Sequence, residues 1–426
     1  MWQNLAMETS LPNILTITPV NSNTLIATCP ACGLLCDDIL IDVDEQNINV
    51  INTDCSKSIQ FFEQQSSNIS PQINGKPVAL HVAIAHVAGL LKNSQSPLFA
   101  GLSTDVQGFR TIYNIAQKTN GSLQHMNSQS KARNMAVLQS TGWQTTTLTE
   151  VKNRADVILC LGTDIVSHNP RFFERFVWLN KPNTEAMFTD AMKRSIIYIG
   201  EDLDTSAGIS PEMKAPLVLD CKTHQLPEVM ASLRALINGK TLKAETVAGI
   251  KISDLLAVAK QLKQAKYAVL AWIAKDLDYA NAELTIGCVT EIIALLNQND
   301  ANRTGRAAGL MLGGSDGDTS ANNANTWLTG LTLSDDAAEH DCVVWVNSFS
   351  QEKISPFTDK PLIELGNSNS HFAKIPNVFI PIATPGLDCN GTLFRVDSSV
   401  VLPLKQVRQN ELPTLNDVLN AIEALL

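Results

Sequence analysis

Charge is scarce in this sequence. Only 17% of its 426 residues are Asp, Glu, Lys or Arg, and aromatic residues make up 5%. With 44% hydrophobic residues, such a composition excludes an intrinsically disordered chain, which stays unfolded by being polar and charged. It suits a large packed core, or a subunit that buries part of its surface against partners. Basic runs are missing, and the net charge is −10, from 32 Lys and Arg against 42 Asp and Glu. Nucleic acid and anionic membrane surfaces both demand clustered cations, so neither is an expected partner. Long apolar runs are missing as well. The least polar stretch, residues 78–91, contains His81 and His86 and is too short to span a bilayer. Residues 1–20 lack a basic start followed by an apolar run, so no secretory leader is expected, and the reading is a cytoplasmic protein.

Cysteine is absent between positions 55 and 160. Nine cysteines are present in all, an odd number, which argues against a disulfide framework. Cys160, Cys221, Cys288, Cys342 and Cys389 are scattered, several in apolar runs, and read as small core residues. Cys29, Cys32, Cys36 and Cys55 are different. The run Cys-Pro-Ala-Cys-Gly-Leu-Leu-Cys-Asp-Asp (29–38) and the return at Cys55 can bring four thiolates to one centre. A 4Fe–4S cluster is held that way, tetrahedral zinc is the second reading, and a vacant site is the third.

Residues 1–60 form a small cysteine module, in which 39–50 alternates as a pair of short strands would. Beyond residue 72 the pattern changes to helix-like segments at 80–91, 106–117 and 226–237. They alternate with apolar runs at 97–101, 156–162, 196–200, 216–220, 268–272 and 342–346. Strands that are apolar throughout and alternate with helices indicate parallel sheets covered on both faces. The Gly-rich segment 313–323 is expected to be plain loop, since it lacks the spacing of a phosphate motif.

The 29–38 run resembles the N-terminal cluster motif of the formylmethanofuran dehydrogenase B-subunit family, within the molybdopterin oxidoreductases. Glu150–Asp156 with Asn169-Pro-Arg171, residues 322–327 with Gly330, and Pro385–Asp397 are similar to further blocks of that family in the same order. The resemblance implies a formate dehydrogenase/DMSO reductase-like α/β fold, with the cysteine module followed by two doubly wound α/β domains. The first would be discontinuous (61–135 and 262–345), the second would span 136–261, and 346–426 would pack over both.

Redox-active relatives hold tungsten or molybdenum between two pterin dinucleotides, through a cysteine or selenocysteine. This sequence departs from that pattern. Ser130 stands nearest the metal-ligand position. Gly200-Glu201-Asp202 replaces an Asp-Pro-Arg, so carboxylates meet where a phosphate needs a cation. Gly313-Gly314-Ser315 replaces a segment with Arg and His. Asn169-Pro170-Arg171 replaces His-Pro-Arg, and the segment after Gly330 (331–336) is short. Ser130, Arg171, Gly200, Asp202 and Gly313 thus mark a degenerate pterin site. No tungsten or molybdenum pterin is expected to bind, because the thiolate and at least two cations are gone.

The pattern is most similar to the redox-inactive branch represented by the B subunit of bacterial formyltransferase/hydrolase complexes. That resemblance implies a structural role, without catalytic residues, in tetrahydromethanopterin-linked conversion of formaldehyde to formate. The expected partners are the A subunit, a metal-dependent amidohydrolase, the D subunit, which transfers the formyl group, and the C subunit. The enzyme alternative is an active dehydrogenase subunit with Ser130 on the metal. An iron–sulfur electron-transfer subunit is the second alternative. His125 and His168, with no carboxylate neighbour evident in sequence, read as packing or surface residues. Arg171 reads as a salt bridge to Glu174 or Glu150, and Asp37 and Asp38 as the carboxylates that fix the cysteine loop. Trp143, Trp272, Trp327 and Trp345 read as core or interface anchors.

Overall fold

The computed structural model describes residues 23–44, 47–179, 186–298, 305–333 and 339–426. Residues 1–20, where a leader would stand, and part of the short segment after Gly330 lie outside them.

The cysteine module opens with three short antiparallel strands, Thr24–Ala27, Ile39–Asp44 and Asn47–Val50, in that spatial order. The helix Ser56–Phe62 follows and buries Phe61 and Phe62.

A seven-stranded sheet comes next. In spatial order it runs Lys76–Pro77, Gln72–Ile73, Val378–Pro381, Leu362–Gly366, Cys342–Asn347, Pro97–Ser103 and Ser122–His125. The last five are parallel. Every residue of Pro97–Ser103 and of Cys342–Asn347 is buried, as central parallel strands must be. The helices Leu80–Asn93, Val106–Lys118, Asp318–Thr329 and Leu415–Glu423 bury their apolar stripes against one face, around Phe99, Val344 and Ile363. The opposite face, with Leu98, Trp345 and Leu362, is covered by Phe357 and Met126.

A five-stranded, all-parallel sheet is built from Leu217–Leu219, Ser195–Ile199, Val157–Leu161, Tyr267–Trp272 and Arg306–Met311. The helices Leu226–Ile237, Ile252–Gln264 and Ala282–Leu296 cover one face. On the other face Ile158, Cys160 and Tyr198 pack with Phe172, Phe173 and Phe176, with the cysteine module and with Leu393 and Leu404 of a C-terminal hairpin.

Parallel sheets with helical cover follow from the apolar runs. Three sequence expectations are corrected. Tyr267–Trp272 and Arg306–Met311 fall in the range 262–345 assigned to the first unit, yet both belong to the second sheet, where Tyr267–Trp272 pairs with Val157–Leu161 and Arg306–Met311 pairs with Tyr267–Trp272. Residues after 345 do more than cover the sheets, since Leu362–Gly366 and Val378–Pro381 are strands within the first one. The polar stretch 313–323 is loop only in its first half, because Asp318–Thr329 is a helix. Its sequence is rich in Asn, Thr and Ser, which compete locally for backbone hydrogen bonds and mask a helical pattern.

Candidate functional site

Both sheets reverse their strand order midway. The reversal falls between Pro97–Ser103 and Cys342–Asn347 in one sheet, and between Val157–Leu161 and Tyr267–Trp272 in the other. Such switch points open crevices at the carboxyl ends of strands. Here the two sets of ends contribute to one cavity of about 350 Å³. Ile273 and Lys275 reach it from the second sheet, Phe349 and Lys353 from the first, and Ala31 and Phe61 from the cysteine module.

Of the residues marked in the sequence as a degenerate pterin site, Ser130 and Gly313 line this cavity, while Arg171, Gly200 and Asp202 do not. Ser130 lies in the first turn of the helix Ser128–Thr141 and donates its hydroxyl to the Asn127 carbonyl at 2.9 Å. Gly313 and Gly314 both have positive φ, and the loop they form is pinned by Asn169. Gly200 and Asp202 also have positive φ and shape the turn after the strand Ser195–Ile199. Between them, Glu201 accepts from the Thr223 backbone and hydroxyl and pairs with Lys222.

Arg171 is 3% exposed. One edge of its guanidinium donates to both oxygens of Asp38, at 2.7 and 2.8 Å, and the other to both oxygens of Glu174, at 3.1 and 3.0 Å. Arg175 adds bonds to Asp38 and Asp37 at 2.8 and 2.7 Å. Burial pushes the Asp38 carboxyl up, but Arg171 and Arg175 outweigh it and hold the group below the usual carboxylate range. The expected salt bridge to Glu174 is present, and Asp37 and Asp38 fix the cysteine loop through the two arginines. A π-helical turn, Phe173–Val177, spaces these residues so that its phenylalanines enter the core while Arg175 faces the loop.

Cys29, Cys32, Cys36 and Cys55 are all buried. The Cys29 amide donates to the Cys36 carbonyl at 2.9 Å, and the Ser58 hydroxyl lies 3.3 Å from the Cys29 sulfur. Burial pushes the Cys29 and Cys32 thiols up, and Cys36 to about 11. Among the described residues no three His, Cys, Asp or Glu side chains are grouped as a metal ion requires.

The two histidines part ways. His125 is a packing residue: it accepts from the Asn127 amide at 3.0 Å and contacts the Asp316 carbonyl at 3.0 Å. Burial holds it below the ordinary imidazole value despite Asp318 and Asp316 nearby. His168 lines the cavity, and its Nε2 lies 2.7 Å from Asp276, which also accepts from the Thr163 hydroxyl at 2.7 Å. This carboxylate partner is 108 residues away, out of reach of a sequence reading. Trp272 and Trp345 are core residues, and Trp143 packs beside Trp272 with ring centroids 6.2 Å apart. Trp327 is 70% exposed and lies under the Arg110 guanidinium.

No family model matches the chain. The B subunit of tungsten-containing formylmethanofuran dehydrogenase 2 from Methanococcus maripaludis is 23% identical over 415 residues, covering 89% of this chain and 92% of that protein. Its counterpart from Methanocaldococcus jannaschii is 23% identical over 417 residues, with the same two coverages. The chain is homologous to the B subunit of formylmethanofuran dehydrogenases. This B-subunit homologue is also 33% identical over 90 residues to the B subunit of the formyltransferase/hydrolase complex Fhc of Methylorubrum extorquens, 21% of this chain and 25% of that protein. A chain in the crystal structure of the FhcABCD complex from that organism, with methylofuran, matches at a TM-score of 0.66 and 21% identity, covering 84% of this chain and 98% of that one. Acetylene hydratase from Pelobacter acetylenicus matches at a TM-score of 0.53 and 9% identity, covering 95% and 69%. These likenesses give the B-subunit homologue its mixed α/β fold. Among its described residues no helix is long and apolar enough to cross a membrane.

Proposed function

We propose that this chain is a non-redox B subunit of a formyltransferase/hydrolase-type complex, with counterparts of the A, C and D subunits as partners. Its role is then structural. Arg171 carries the reading. A pyrophosphate needs a guanidinium with open donors, and Arg171 spends both edges on Asp38 and Glu174. Ser130 supports it, because a hydroxyl is a harder and less acidic ligand than a thiolate. The size of the cavity, about 350 Å³, supports it too: that suits one small molecule, not a metal between two pterin dinucleotides. The residues present do not fit that group.

The four cysteines have the donor chemistry of an iron–sulfur or zinc site without its grouping. Burial raises the Cys29, Cys32 and Cys36 thiols, which favours their protonated form, and these three sit in the core shared with the second sheet. We read them as packed thiols. The specific support for an active dehydrogenase is the alignment of the two tungsten-containing relatives over 89% of the chain. Purification of the tagged full chain from its native cells under anaerobic conditions separates the readings. Co-purifying A, C and D counterparts without tungsten or molybdenum are expected. One tungsten or molybdenum per chain establishes the dehydrogenase instead.

A further inference from the structure

The cavity has an uneven charge. Lys57, Lys131, Lys275 and Lys353 line it, against Asp316, Asp318 and Glu352, in a chain whose net charge is −10. Lys131 pairs with Asp318 at 3.4 Å and Lys353 with Asp316 at 3.7 Å. Glu352 is drawn to His371 at 3.9 Å. Lys57 has no carboxylate partner among the described residues; its Nζ donates to the His168 carbonyl at 2.9 Å. Lys275, in the turn that follows the strand Tyr267–Trp272, lines the same space and has neither an ion pair nor a hydrogen bond among the described residues. The His168 imidazole, held by Asp276 at 2.7 Å, completes this wall. Four buried apolar side chains, Phe61, Ile273, Leu312 and Phe349, line the cavity as well.

We propose that this cavity binds a small organic anion, with its carboxylate or phosphate head on Lys275, Lys57 and His168 and its carbon body against the apolar side chains. Lysines are point charges that take either head group, unlike the planar fork of arginine. A cavity of this size suits a single small ligand. The inference rests on the non-redox reading in one respect: a metallopterin in the cavity would exclude the anion.

The test is calorimetric titration of the full chain, in the complex with which it purifies, with succinate and with glycerol 3-phosphate. Both are run in chloride buffer of matched ionic strength. One of the two is expected to bind at one site per chain, and which one identifies the head group. Lys275→Gln, at an exposed position, is expected to weaken binding about tenfold, the worth of one charged hydrogen bond, with unchanged thermal unfolding. His168→Gln is expected to weaken it as well. No binding of either anion, or binding that survives both substitutions, overturns the proposal. Metal analysis of the same preparation tells the two failures apart. Tungsten or molybdenum in it refutes the non-redox reading together with this one, whereas a metal-free chain that binds neither anion refutes the anion site alone.

Discussion

Asn169 and Gly313 bind each other twice: the Asn169 side-chain amide donates to the Gly313 carbonyl at 2.9 Å, and the Gly313 amide donates back to the Asn169 side-chain oxygen at 2.8 Å. The pair joins a turn beyond the strand Val157–Leu161 to the loop beyond Arg306–Met311. It is fully buried at Asn169, so both bonds are shielded from water. The side-chain amide of Asn169 thus matches a peptide group with both its donor and its acceptor.

Asn169→Ala is therefore expected to leave a buried amide and carbonyl unpaired and to destabilise the protein by about 2 kcal/mol. Urea unfolding measures it, and an unchanged midpoint would show that the clamp contributes nothing.

Gly33 sits between Cys32 and Leu34 with no room for a side chain. A Cβ there would lie 2.6 Å from the Val396 Cβ, 2.7 Å from the Gly313 carbonyl oxygen and 3.0 Å from the Gly314 Cα. Two of these neighbours are backbone, so Gly33→Ala must push three loops apart, at a cost of about 1–3 kcal/mol. Thermal unfolding checks this, with Gly89→Ala as a control for glycine replacement where a Cβ would meet nothing within 4 Å.

Arg171→Met removes the cation from Asp38 and Glu174 while keeping an unbranched side chain. Both carboxylates retain solvent contact, which tempers the loss to about 2 kcal/mol. If the variant unfolds at the parent's denaturant concentration, the network is decoration and Arg171 no longer supports a structural role for this loop.

Glu364 stands in the strand Leu362–Gly366 at 1% exposure, with one carboxyl oxygen unpartnered. Burial pushes its carboxyl up to about 8. The folded chain thus keeps a proton that the unfolded chain releases near the ordinary glutamate value. The sign follows: stability falls as pH rises from about 4.5 to 8, and is flat above. Glu364→Gln removes this slope, with a gain over the parent that is roughly 4 kcal/mol larger at pH 8 than at pH 4.5. Equal pH slopes in parent and variant would refute it.

The parallel sheets were legible because central strands buried on both faces must be apolar throughout, as Pro97–Ser103 and Val157–Leu161 are. Helix ends came within two residues where an apolar stripe defined them, as in Leu226–Ile237. Sheet membership was not legible. Tyr267–Trp272 has the same apolar pattern whichever sheet it joins, and its pairing with Val157–Leu161 is settled only by tertiary packing. Within the site, the Arg171–Glu174 bridge lay at helical spacing and could be read. The His168–Asp276 pair and the lysines of the cavity come from distant segments, and no local spacing announces them.

The seven-stranded sheet places Cys342–Asn347 between Pro97–Ser103 and Leu362–Gly366. During synthesis, Pro97–Ser103 leaves the ribosome with Ser122–His125 close behind but long before Cys342–Asn347, its neighbour on the other side, exists. That edge stays unpaired while the whole second sheet is made, so the chain's first-made layer is among the last to be finished. Contacts this distant in sequence slow folding and leave unpaired edges open to aggregation. A nascent chain stalled before residue 342 would hold a completed second sheet beside an unfinished first one.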